Sequence, residues 1–212
     1  FWSVSAPMGN NVSATPFRPG DVARIVRIGL GDGQVQHFMR QEHFNQALGL
    51  PVATPIDVDA IAWSPNFGVF FSLDQDVVAN TVCGPALLRD GDVLCVPPWA
   101  LTYTPDMRVN TVAPMSVVVA YTEAQMDAMT VNAQVNDRFG VCLNNVVDVE
   151  GLEIDLFGPV IGVPTTCGVA IQVPTLIYSC ETGTGASLLT TQFGGQIFMT
   201  PCGPAGTPCG GG

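Results

Sequence analysis

An all-β fold of repeated four-stranded antiparallel units with two short helices is what this sequence predicts. Three observations carry the prediction. Gly and Pro are over-used, at 23 and 17 of 212 residues. They punctuate the chain every few positions, which suits short strands and turns better than long helices. Charged residues make up 12%, about half the usual share, so helix faces laced with ion pairs are not expected. A short aromatic–serine pattern also recurs, as Phe1-Trp2-Ser3, Phe70-Phe71-Ser72 and Ile177-Tyr178-Ser179.

The first unit, about 1–56, opens on the first aromatic–serine segment. Arg18-Pro19-Gly20-Asp21-Val22 then leads into a strand over 21–28, and a second strand covers 33–38. A helix over 40–48 follows, with Gly49 as its stop signal. The second unit, 57–147, begins with Asp57-Val58-Asp59-Ala60-Ile61, where acidic or small residues alternate with apolar ones as far as Trp63. A turn at Pro65-Asn66-Phe67-Gly68 joins it to an apolar strand over 69–73, making a hairpin. Arg89-Asp90-Gly91-Asp92-Val93 introduces a third strand over 92–96, and 115–121 is the fourth. Thr122 and Gln125 have capping-box spacing and open a second helix reaching about 129. The third unit, 148–212, starts at Asp148-Val149-Glu150-Gly151-Leu152 and meets a Pro- and Gly-rich insertion over 158–166. Strands over 172–180, 187–191 and 196–200 complete it, and Phe193-Gly194-Gly195-Gln196-Ile197 weakly matches the Gly-Asp-Val element.

This order of acidic strand, turn, aromatic–serine strand, Gly-Asp-Val strand and outer strand resembles the blade of a β-propeller. Secreted bacterial propeller-like repeat proteins use comparable blades, and the resemblance covers most of residues 1–200. It implies a propeller-like arrangement. Such a ring usually needs about four or more blades to close. The chain offers three units, the first without its opening strand and the last irregular. The resemblance therefore implies completion from outside. Copies of the chain, as a homo-oligomer or filament, or the rest of a larger secreted protein would add to open sheet edges.

A net charge of −11 and a pI near 4.2 leave no basic footprint for nucleic acid or an anionic membrane surface. No run of about 18 apolar residues is present, so no membrane span is expected. The chain begins on Phe1 rather than Met, which fits a processed or trimmed product. Seven Cys without a CxxC pair, beside only two His, argue against a zinc framework. Set among Gly, Pro and Thr, they read as structural disulfides of a secreted or cell-surface protein, or else as buried thiols. The nearest pairs are Cys83 with Cys95, around the turn at 89–91, and Cys202 with Cys209, around Gly203-Pro204.

Alternation places Asp57 and Asp59 on one strand face, and Asp148 and Glu150 likewise. With Asp74, Asp90 or Asp92 from nearby turns they could hold Ca²⁺ through hard oxygen ligands, or they could simply cap turns. His37 and His43, six apart, do not share a helical face, so a common metal is not expected and both belong on the surface. Trp2, Trp63, Trp99 and Tyr103 either line a sugar site or fill the core. No nucleophile elbow, P-loop or dinucleotide fingerprint occurs, so catalysis is not expected. The expected function is an extracellular structural or assembly protein that self-associates. The alternative is a carbohydrate- or ligand-binding module of a larger secreted protein. A third reading, a metal-dependent hydrolase of the six-bladed propeller type, would need a convergent acidic site with Asn and Glu.

Overall fold

The computed structural model describes residues 2–4, 16–27, 33–126, 128–129, 149–165, 167–180 and 197–199. At its centre is an antiparallel sheet of β4 (Val58–Ser64), β5 (Gly68–Leu73), β8 (Val93–Val96) and β11 (Val118–Tyr121), in that spatial order. These are the four strands read from 57–121, paired in the order read. The turn into β5 is closed by Phe67 N–H donating to the Ser64 carbonyl at 3.2 Å. Gly68 enters the strand at φ +95°, and a Cβ there would run into the Val96 carbonyl oxygen. Glycine is the residue that fits.

Every residue of β5 is buried, because both faces of the central sheet are covered. Val69, Phe71, Leu73, Leu94 and Val96 pack into one apolar cluster, and Phe70, Val93, Cys95, Val118 and Ala120 into another. Strand alternation feeds the two layers in turn. Ser72, also fully buried, is tied on both sides: its Oγ accepts from Ala60 N–H (3.1 Å) and donates to the Val149 carbonyl (2.8 Å).

The first cluster is covered by β2 (Asp21–Arg27), β3 (Gly33–Met39), helix α1 (Gln41–Ala47), and two hairpins. These hairpins are β6 (Val77–Thr81) with β7 (Gly84–Leu88), and β9 (Leu101–Tyr103) with β10 (Val109–Val112). α1 ends as its sequence demands. Gly49 takes φ +64° while Gly49 N–H reaches the Gln46 carbonyl and Leu50 N–H the Asn45 carbonyl, a Schellman cap. The second cluster is covered by β12 (Val149–Pro164) and β13 (Ala170–Cys180). β1 (Trp2–Val4) pairs with β2, and β14 (Ile197–Met199) with β13. No helix among the described residues is long and apolar enough to cross a membrane.

The chain is all-β in character, but no closed ring and no second four-stranded sheet occurs among the described residues. The outer sheets have three strands each, and two separate hairpins intervene. The aromatic–serine pattern marks strands without fixing their partners. It falls on edge strand β1, on central β5, and on β13 between β12 and β14. The insertion expected over 158–166 is instead mostly strand. Pairing jumps from Asp155↔Thr175 to Val160↔Pro174, so Pro159 sits in a bulge where it owes no ladder hydrogen bond. The strand expected over 187–191 lies outside the described residues.

Two stretches do build the same local structure. Arg18 N–H donates to the Asp21 carboxylate (2.8 Å), and Arg89 N–H to that of Asp92 (3.0 Å). Asp21 N–H and Asp92 N–H return to the Arg18 and Arg89 carbonyls, each at 3.1 Å. The second oxygen of each carboxylate then receives the first amide of a helix, Gln41 (2.8 Å) or Glu123 (2.7 Å). Residues 123–126 and 128–129 form that second helix, opened by the reciprocal Thr122–Gln125 capping bonds. Even the bulge agrees: pairing shifts between Val22↔Met39 and Ala23↔His37, and between Val93↔Tyr121 and Leu94↔Val119.

Candidate functional site

A cleft of about 300 Å³ lies between the end of β3, the start of α1 and the β9–β10 hairpin. His37, Arg40, His43 and Arg108 line it, with Glu42, Thr104, Asn110, Phe38 and Val109. His37 Nε2 donates to Asp21 at 3.0 Å, and both side chains are buried. This corrects the expectation of a surface histidine. Asp21 and His37 are brought together by the β2–β3 pairing, and the Phe17 ring covers the imidazole with centroids 4.0 Å apart.

His43 stands in the first turn of α1, where its Nδ1 accepts the Arg40 amide at 3.3 Å. That bond leaves the proton of the neutral ring on Nε2. Burial holds the His43 pKa below its ordinary 6.5, with Arg40 acting the same way and Glu42 and Asp21 opposing. The unfolded chain thus takes up this proton first as pH falls, and folding stability declines from about pH 6.5 downward. His43→Asn should flatten that slope, which urea denaturation between about pH 5 and 7.5 would measure; parallel curves for the two proteins would refute it.

The opposite wall is a braced turn. Thr104 Oγ1 accepts the Arg108 amide (3.0 Å) and donates to Asp106 (2.6 Å), which also takes the Arg108 guanidinium at 2.7 Å. Hydrogen bonding from Thr104, then from Arg108, holds the Asp106 carboxyl below its ordinary pKa. Arg24 on β2 clamps the turn through the Asp106 carbonyl at 2.6 Å. Behind Phe38 lie two of the four expected ligand-binding aromatics. Trp63 packs 5.0 Å from Phe38, and its Nε1 donates to the Tyr103 hydroxyl at 3.0 Å.

No protein family, characterised protein or solved structure matches the chain.

The remaining expected site residues are scattered. Trp99 is exposed on the 3₁₀ turn Pro98–Ala100 and does not line the cleft. Trp2 lies on β1 and Glu150 on β12, while Asp148 falls outside the described residues. No group of three or more metal-ligating side chains occurs among the described residues. Asp57 precedes β4 and Asp59 lies on it, where pairing slips between Val58 and Ile61. Asp92 and Asp90 are occupied with turn and helix amides. Asp57 and Asp74 do approach, joined through backbone at 3.3 Å. Burial first, and the Asp74 charge second, raise the Asp57 pKa above 3.8. The fold then favours protonated Asp57, and stability is lost as pH rises through its raised pKa. Asp74→Asn should raise the melting temperature at neutral pH, with the gain vanishing in acid below about 3.8. A gain independent of pH would point to some cause other than this repulsion.

The expected Cys83–Cys95 bridge is corrected. Cys83 at the tip of the β6–β7 hairpin is joined to Cys167 in the β12–β13 connection, with Cα atoms 5.2 Å apart. Cys95 is a free thiol pointing into the second cluster, and burial pushes its pKa far up. Strand β8 turns that side chain inward while the exposed hairpin tip carries Cys83 elsewhere. Cys202 and Cys209 lie outside the described residues.

Proposed function

We propose that this chain is a non-catalytic binding module of an extracellular protein, and that the cleft beside His37 and His43 is its site. The observation that supports it best is the convergence of polar side chains, with His37 and His43 oriented by their own hydrogen bonds, beside the buried Phe38 ring. Convergent polar groups in a concave site of this size are what fixes a small polar ligand. The lining has no Ser or Cys to act as nucleophile, and the Thr104 hydroxyl is committed to Asp106 and Arg108. The exposed, disulfide-bonded Cys83 and Cys167 fit an oxidising compartment. A glycan array probed with the full chain should return hits. Asn110→Trp, which fills the cleft from an exposed rim position, should abolish them. An array without hits from a chain that also binds no small ligand in calorimetry, or hits indifferent to Asn110→Trp, would sink this reading.

A self-associating structural role is the second reading. It is favoured by Val78 and Leu87, exposed by 72% and 53% and directly opposite each other on the two-stranded β6–β7 sheet. Native mass spectrometry giving monomer at every concentration would remove it.

A further inference from the structure

We infer that the cleft takes a small oxyanion, a carboxylate or phosphate group, through the guanidinium groups of Arg40 and Arg108 and the Nε2–H of His43. The inference rests on the binding-module reading and names its ligand class.

Charge is the first argument. The chain carries a net −11 with both His counted neutral, yet two of its seven Arg, Arg40 and Arg108, line this one cleft together with His37 and His43. Glu42, the carboxylate in the lining, lies 3.9 Å from Arg18. Asp106 answers the Arg108 charge. Arg40 is exposed and makes no ion pair among the described residues. A guanidinium with no ion-pair partner among the described residues suits a carboxylate or phosphate, whose paired oxygens match its fork. An acidic surface elsewhere would repel an anion and leave this patch as its favourable landing place.

The second argument is an internal comparison. The Asp92 turn makes the same backbone bonds as the Asp21 turn, with the same bulge and the same helix amide. Where the first stretch has buried His37, the second has Val119. The turn, the bulge and the helix start therefore form without an imidazole. A buried polar ring is costly unless satisfied, and here Asp21 satisfies it through Nε2. His37 is thus an addition to a local structure that stands without it; it shapes the cleft wall, while the donors to an oxyanion come from Arg40, Arg108 and His43.

Isothermal titration calorimetry on the full chain at low salt tests this with four probes: inorganic phosphate, glucuronate, glucose and glucosamine. Phosphate or glucuronate should bind, and which of them binds tighter identifies the oxyanion's source. Glucose and glucosamine should bind at least about tenfold more weakly, the factor expected when a charge-assisted hydrogen bond is lost. Arg40→Gln should weaken the anion by about the same factor while leaving the thermal unfolding curve in place, since only the Arg40 backbone serves α1. Raising the salt should weaken binding further. Glucose binding as tightly as glucuronate, in a manner sensitive to Asn110→Trp, would overturn the oxyanion inference and leave the binding module standing. Absence of binding by all four probes overturns the inference, and the glycan array then decides the parent reading separately. Anion binding unchanged in Arg40→Gln overturns the assignment to this cleft.

Discussion

Replacing both Cys83 and Cys167 by alanine is expected to lower the unfolding free energy by about 4–5 kcal/mol, the chain-entropy value for a closed loop of this length. The bridged cysteines are 84 residues apart, so the bond restricts a large part of the unfolded chain. Its placement in the fold adds to the effect. Ala79 and Leu88 of the β6–β7 hairpin pack in the first apolar cluster, whereas β12 and β13 cover the second. The bond therefore ties together two hairpins that cover opposite faces of the central sheet. At the tip, Thr81 Oγ1 accepts the Cys83 amide (3.1 Å), and Val82 N–H donates to the Val117 carbonyl (3.0 Å), so the hairpin presents Cys83 in a fixed place. Urea denaturation of wild type and double variant measures the loss. A change below about 1 kcal/mol would mean that the unfolded chain keeps these hairpins close without the bond.

Much of the central sheet was legible in the sequence. Its strands alternate or run apolar between turn residues, and the four segments read over 57–121 became β4, β5, β8 and β11. Both helix signals also worked, because Gly49 and the Thr122–Gln125 pair act through bonds to their immediate neighbours. What failed depends on partners far along the chain. Cys83 and Cys95 are near in sequence, but strand direction separates them, and Cys167 is reached only through the fold. The ladder of β12 runs past Pro159 because a bulge excuses the missing amide, and no local pattern announces a bulge. His37 looked like a surface residue because its partner Asp21 lies across a strand pair whose register shifts by one residue between Val22 and Ala23. The Gly-Asp-Val recurrence was visible and does encode matching turns. Reading it as a matching four-stranded blade extended a local signal to strand partners that it does not specify.

The two adjacent phenylalanines of β5 offer the sharpest test of the layered core. Phe71→Ala is expected to cost roughly 3–5 kcal/mol, the range for truncating a fully buried aromatic. Phe71 is 0% exposed, opposes Ile61 and Leu94 in the sheet, and meets Phe44 of α1 edge-on with ring centroids 5.0 Å apart. Phe70→Ala should cost a similar amount, since Phe70 is as deeply buried in the opposite cluster. The local consequences should differ. The cavity at residue 71 opens beneath α1, the helix that carries His43 and begins just after Arg40, so amide exchange should quicken in 41–48 and cleft binding should weaken. The cavity at residue 70 opens beneath β12 and β13, where Leu176 and Tyr178 pack, and should leave the cleft's affinity unchanged. Hydrogen exchange and a binding titration on both variants separate these outcomes. If both cavities loosened α1 equally, the sheet would not be dividing the core into two layers. If neither cost more than about 1 kcal/mol, β5 would not be the buried centre on which both layers rest.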